Sequence, residues 1–134
     1  MSDEDVRVVR SLIDSFNRGE LDRALERASA DWVWDWSNAM GPLQGVYRGR
    51  EEVRGAWEAF REAWDEVQWH PQETIDIGRG KVVIVNHARM RGKGSGVDVD
   101  AVGVFLFTVE RGEIVRVKLY QSKEDALAEG GAPD

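Results

Sequence analysis

Apolar residues fall at helical spacing near the start of the chain and at alternate positions from residue 66 onward, so helices come first and strands last. Val6, Val9, Ile13 and Phe16 share one face of a helix predicted over 3–18, with Ser2 as its N-cap, acids in the first turn and Gly19 as its stop. Leu21, Ala24, Leu25 and Ala28 predict a short second helix over 20–29. Over 31–36 the period becomes two. Trp32, Trp34 and Trp36 face one way and Asp31, Val33 and Asp35 the other, which makes a strand with an aromatic stripe. Glycines and prolines mark 37–49 as a loop. A third helix over 50–65 places Val53, Trp57, Phe60 and Trp64 on one face, and Gly55 within it signals close packing.

The second half reads as four strands: 66–77, interrupted near Pro71, then 81–91, 97–110 and 113–120. Gly92-Lys93-Gly94-Ser95-Gly96 and Arg111-Gly112 turn the chain between them. Ser122, with Asp125 three residues on, caps a last helical turn through Glu129, and 130–134 forms a frayed tail. Helices segregated to one face of an antiparallel sheet define an α+β fold, here one domain over 1–134 with its core over about 3–129. The stretch 101–107 is apolar on both faces. Helices cover one face, and the other calls for a cover, which points to a second copy in a twofold homodimer through the sheet.

Composition narrows the function classes. The net charge of −7, from 25 acidic and 18 basic residues, repels phosphate backbones, and the short basic run Arg89-Met90-Arg91-Gly92-Lys93 suits a solvated hairpin tip, so no nucleic acid is expected. No apolar run approaches the ~20 residues of a membrane span, and the acidic start lacks a signal-like core. The chain has no cysteine, which excludes thiolate chemistry and fits a reducing, cytoplasmic setting. His70 and His87 show no paired spacing, so neither a metal nor a cofactor is expected; GxSxG, P-loop and GxGxxG motifs are missing. Six tryptophans in 134 residues demand a reason. Rigid aromatics from a strand and a helix facing each other suit a pocket for a hydrophobic small molecule. The residues expected to line it are Phe16, Trp34, Trp36, Tyr47, Trp57, Phe60 and Trp64, with Val102, Val104, Val117 and Leu119 from the sheet.

The sequence resembles the SnoaL-like branch of the nuclear transport factor 2-like superfamily, over about residues 3–129. The likeness rests on Phe16-Asn17-Arg18-Gly19-Glu20, on Trp32-Val33-Trp34-Asp35, on Gly45 through Val53, on Gly112 through Arg116, and on Tyr120 with Ala126-Leu127. It implies a cystatin-like cone, three N-terminal helices packed on a curved antiparallel sheet, and the pocket of ketosteroid isomerases and limonene-epoxide hydrolases. The family's catalytic acids do not transfer. The isomerase base aligns with Trp36, one residue from Asp35, and the oxyanion-hole acid with Val104; a hydrolase acid aligns with Leu119 and another falls near His87.

His87 is then the leading candidate base, at a strand position where SnoaL-like cyclases are similar in carrying histidine. Asp100 is its candidate orienting group and Arg89 a candidate oxyanion clamp. Pairing in which strand partners sum to 187 sets His87 opposite Asp100, whereas a sum of 188 sets it opposite Ala101. Asp35, Asn38, Tyr47 and Tyr120 are further polar candidates. The expectation is a SnoaL-like enzyme of isomerase, cyclase or hydrolase type acting on an apolar ring-sized substrate. Its alternatives are a non-catalytic hydrophobic-ligand module and a dimerisation domain.

Overall fold

The computed structural model describes residues 2–39 and 43–131. Its elements are α1 (Ser2–Asn17), α2 (Leu21–Leu25), β1 (Ala28–Trp36), β2 (Gly45–Arg48), α3 (Gly49–Glu62), β3 (Trp64–Gly78), β4 (Lys81–Gly92), β5 (Asp98–Glu110), β6 (Glu113–Tyr120) and α4 (Lys123–Gly130). The expected α+β cone is present, with one amendment to the sheet. Six strands lie in the order β2-β1-β6-β5-β4-β3, and β1 runs parallel to β6 while the other pairs are antiparallel. No described helix is long and apolar enough to cross a membrane. The side chain of Ser2, the loop centre 40–42 and the tail 132–134 fall outside the described residues, and with them the Ser2 cap and the end of the expected tail.

Several boundaries move, each because a tertiary contact outweighs local preference. The second helix ends at Leu25, because Ala28 pairs with Ile114 and the Arg27 carbonyl accepts from the Ile114 amide at 2.8 Å. Part of the expected loop is the edge strand β2, which pairs Gly45–Arg48 with Val33–Trp36. Trp64 belongs to the start of β3, opposite Gly92, rather than to the third helix. Gly55 is exposed, and a Cβ built there meets nothing within 4 Å, so close packing does not explain it. Pro71 does mark an irregularity, since the β3–β4 register shifts between Pro71 and Glu73. Ser122 caps α4 as expected, its hydroxyl accepting from the Asp125 amide at 3.1 Å.

Two apolar clusters sandwich the sheet. On the inner face α1 and α3 bury Val9, Leu12, Ile13, Phe16, Val53 and Trp57 against Trp32, Trp34, Ile84 and Phe107. On the outer face α4 lays Ala126 and Leu127 over Val83, Val104, Leu106 and Tyr120. The chain's own last helix therefore covers Val104 and Leu106 on the second apolar face of β5, whereas Val102 on the same face is 65% exposed.

The motif around the first helix break also gains a role. The Asn17 side-chain amide donates to the Trp69 carbonyl and accepts from the Trp69 amide, both at 2.8 Å, so it pins the end of α1 to the edge of β3. Phe16 stacks on Trp69 with ring centroids 3.6 Å apart and planes 7° from parallel. Arg50 fixes the start of α3 by donating to the Ala28 carbonyl at 2.6 and 3.2 Å.

Candidate functional site

The inner face is sealed at one end and hollow at the other. Beyond the packed tryptophans lies a cavity of about 430 Å³, within the range that holds a small organic ligand. Phe60 and Ala63 of the third-helix region and Trp64 at the start of β3 form one wall; Trp36, Ala39 and Leu43 form another. The sheet supplies Trp69, Asn86, Ala88 and Met90 from β3 and β4, and Ala101, Gly103 and Phe105 from β5. Leu119 and Gln121 complete the rim, with Val102 at its margin. A second depression, of about 650 Å³, lies beside Gly55 and Lys93, but Glu58, Arg61 and Glu62 make it a charged surface groove.

The expected lining residues divide into three groups. Trp36, Phe60, Trp64, Val102 and Leu119 border the cavity. Phe16, Trp34, Trp57 and Val117 are closed into the core behind it, at 1% exposure or less, and so lie short of the hollow. The three fully buried indoles account for this. Trp57 meets Trp32 and Trp34 edge to face, with centroids 5.8 and 5.3 Å apart, and leaves no gap between helix and strand. Val104 sits in the outer cluster under α4, because it alternates with Gly103 and Phe105. Tyr47 packs against Trp36, and its hydroxyl is already committed to the Leu43 carbonyl at 2.7 Å.

The candidate catalytic residues come together, but on the opposite face. Partners in the β4–β5 hairpin sum to 189, neither of the expected values, because the turn keeps Lys93–Gly96 out of the ladder and closes with the Gly92 amide on the Val97 carbonyl at 2.8 Å. His87 stands opposite Val102 and Arg89 opposite Asp100. Asp100 reaches Arg89 directly across the ladder and His87 diagonally, with its Oδ1 3.4 Å from Arg89 Nε and 3.6 Å from His87 Nε2. These side chains alternate with Asn86, Ala88 and Met90, which face the cavity, so His87 and Arg89 point outward. Gln72 binds His87 Nδ1 at 3.1 Å, and His70 lies directly opposite on β3. Despite that meeting, no group of three or more His, Asp or Glu among the described residues is placed to hold a metal.

Asp35 is also turned from the cavity. β1 continues without a bulge at this position, so its carboxylate lies on the far side from Trp34 and Trp36. It accepts from the Ser37 amide at 2.9 Å and from Arg116 at 3.3 Å. Burial raises its pKa and is the largest single influence, but the bonds from Ser37, the charge of Lys118 and the bond from Arg116 together hold it below its ordinary value of 3.8. A depressed carboxylate contributes stability above its unfolded pKa and loses it as pH falls through the folded one. The stability of the native chain should therefore fall more steeply than that of Asp35→Asn as pH drops from about 5 to 3. Urea titrations across that interval check this; parallel curves for the two proteins would remove the assignment. Tyr120 lies in the outer cluster, where burial pushes its hydroxyl up. Asn38 donates to the Leu119 carbonyl at 3.0 Å and accepts from Gln121 through its own carbonyl, which ties the ends of β1 and β6 at the rim.

What remains facing the cavity is apolar, apart from two amides, Asn86 and Gln121. No ionisable side chain is among the described lining residues. A profile of the SnoaL-like domain matches residues 9–117, most of the chain. The chain belongs to the SnoaL-like domain family. This SnoaL-like domain is similar in fold to an NTF2-like protein of unknown function from Burkholderia pseudomallei, with 20% identity, TM-score 0.77, and 93% of this chain and 95% of that one covered. It is likewise similar to Bal32a from a soil-derived mobile gene cassette, at 15% identity and TM-score 0.81 with 96% of each chain covered. A third likeness is to a Mycobacterium tuberculosis protein in complex with estradiol-17β-hemisuccinate, at 16% identity and TM-score 0.77, covering 90% of this chain and 95% of that one. No curated protein matches the sequence.

Proposed function

We propose that this SnoaL-like domain is a binding module that captures an apolar, ring-sized small molecule in the 430 Å³ cavity between α3 and the sheet. The observation that carries this reading is the lining itself. Trp36, Phe60, Trp64, Trp69 and Phe105 offer rigid apolar walls, and no described lining group can donate or take up a proton near neutral pH. Acid–base turnover through His87, Asp100 and Arg89 has no support from this geometry, since those groups project from the other face. The steroid ester bound by the Mycobacterium tuberculosis neighbour fits the same reading.

Biphenyl is a suitable first probe, followed through the fluorescence of Trp36, Trp64 and Trp69 in the cavity walls. Ala88→Phe places a ring inside the hollow. It should weaken biphenyl binding at least about tenfold, the loss of roughly 1.4 kcal/mol, while His87→Gln leaves binding unchanged. No saturable signal up to the solubility limit of biphenyl, or equal affinity in Ala88→Phe, would end the proposal. A loss of affinity on His87→Gln would revive the catalytic reading.

A further inference from the structure

β5 reaches further than the strand beside it. It pairs with β4 from Asp98 to Thr108, but its pairing with β6 begins only at Val104, opposite Tyr120. After Tyr120 the chain leaves the sheet for α4, so residues 98–103 have a strand on one side only. Two hydrogen bonds fix which backbone groups this leaves open. The Val97 carbonyl accepts from the Gly92 amide at 2.8 Å, and the Val109 amide donates to the Gly80 carbonyl at 2.7 Å. Both lie at the ends of one unbroken register. Odd-numbered residues of β5 therefore bond to β4, and even-numbered ones turn their N–H and C=O the other way. From Val104 onward those groups meet β6, whereas those of Asp98, Asp100 and Val102 have no backbone partner among the described residues.

The stretch is open as well as unpaired. Residues 98–102 are all exposed, and they contain no proline, lysine or bulge, the usual means of blunting such an edge. The side chains say what kind of strand fits. On the outer face a residue added opposite Asp98 or Asp100 stands beside a carboxylate tied only to an exposed arginine, Arg91 at 3.2 Å or Arg89 at 3.4 Å. A cation is favoured there, whereas a second copy paired over the whole stretch would set Asp100 directly against Asp100. On the other face Val99 and Ala101 favour apolar neighbours.

We infer that Asp98–Val102 is a strand-addition site for an extended peptide segment that alternates apolar and basic residues and runs antiparallel to β5, in line with β6. Each even position supplies two main-chain hydrogen bonds, and the two aspartates select the basic side chains. This goes beyond the capture reading and does not depend on it.

The probe is acetyl-Val-Val-Lys-Val-Lys-amide, whose lysines fall opposite Asp100 and Asp98. In the free chain the amides of Asp98, Asp100 and Val102 should exchange with solvent at least about tenfold faster than those of Val99, Ala101 and Gly103. Saturating peptide should slow the first three by about tenfold or more. N-methylation of the first lysine, whose amide faces β5, should abolish binding; N-methylation of the valine between the lysines, whose amide faces away, should not. Replacing both lysines by glutamate should weaken binding at least about fivefold. Val102→Pro removes one open amide and no bond to β4, so it should fold and lose most of the affinity. Slow exchange of all six amides in the free chain overturns the inference, because the edge is then already covered. So does a lysine peptide that fails to bind at millimolar concentration, or equal binding by the two N-methylated peptides or by the glutamate peptide. Sedimentation showing a dimer with these amides protected would assign the edge to a second copy instead.

Discussion

Trp57→Ala is expected to cost about 3–5 kcal/mol of folding stability, the range for deleting a large aromatic from a closed core. Trp57 is fully buried and meets Phe16, Trp32 and Trp34 edge to face, with centroids 5.3, 5.8 and 5.3 Å away. It therefore joins α1, α3 and β1 at one point, and no single neighbour can collapse into the space it leaves. Urea unfolding monitored by far-ultraviolet circular dichroism measures the loss. Trp57→Phe, which keeps an edge-to-face ring, should lose roughly half as much and remains measurable if the alanine variant fails to fold. A loss below about 1 kcal/mol for Trp57→Ala would mean that the three elements do not depend on this ring.

Gly80→Ala is the second change with a large expected effect. Gly80 adopts φ +77°, and a Cβ there would lie 2.2 Å from the Val109 carbonyl oxygen, a backbone atom that cannot swing aside. The same glycine accepts from the Val109 amide at 2.7 Å, so relieving the overlap would break that bond too. Strain and bond loss together should cost about 2–4 kcal/mol. Gly94→Ala provides the comparison. Its φ is +80°, but nothing lies within 4 Å of its added Cβ, so only the left-handed penalty of about 1–2 kcal/mol applies. Equal losses for the two variants in urea titrations would refute the backbone overlap at Gly80.

The fold was largely legible because periodicity reports burial directly. Trp32, Trp34 and Trp36 alternate in sequence and all three are buried in the structure. Features set by partners distant in the chain were not legible. Nothing local in Ala28 announces that it will lie alongside Ile114, and the four residues of β2 carry too little pattern to separate a strand from a loop. The parallel β1–β6 pair was hidden for the same reason. The covering of β5 by α4 could not be foreseen either, since a short capped helix does not say which face it will return to.

The site was legible in outline, but its polar group was missed. The aromatic wall formed, although the deepest rings became core and only the outer ones reached the hollow. His87 drew attention through its chemistry, while the positions around it already held the answer. Residues 83, 85, 87, 89 and 91 read Val, Val, His, Arg, Arg, a face that runs out to solvent; residues 82, 84, 86, 88 and 90 read Val, Ile, Asn, Ala, Met, a face that stays inside. A single asparagine on the inward set was the informative signal. Hairpin register was out of reach, because a glycine-rich turn such as Gly92–Gly96 can close in more than one way.

The grip of Asn17 on Trp69 has a consequence beyond fixing a helix. β3 is the outermost strand on its side of the sheet and, with 15 residues, the longest in the molecule, so its free rim is where another unfolded or native chain could add as an extra strand. The Asn17 amide occupies both backbone groups of Trp69 on that rim, and the register shift at Pro71–Glu73 interrupts the rim only a few residues further on. A chain end trying to polymerise along this border would find two of its contact points taken and the next ones out of step.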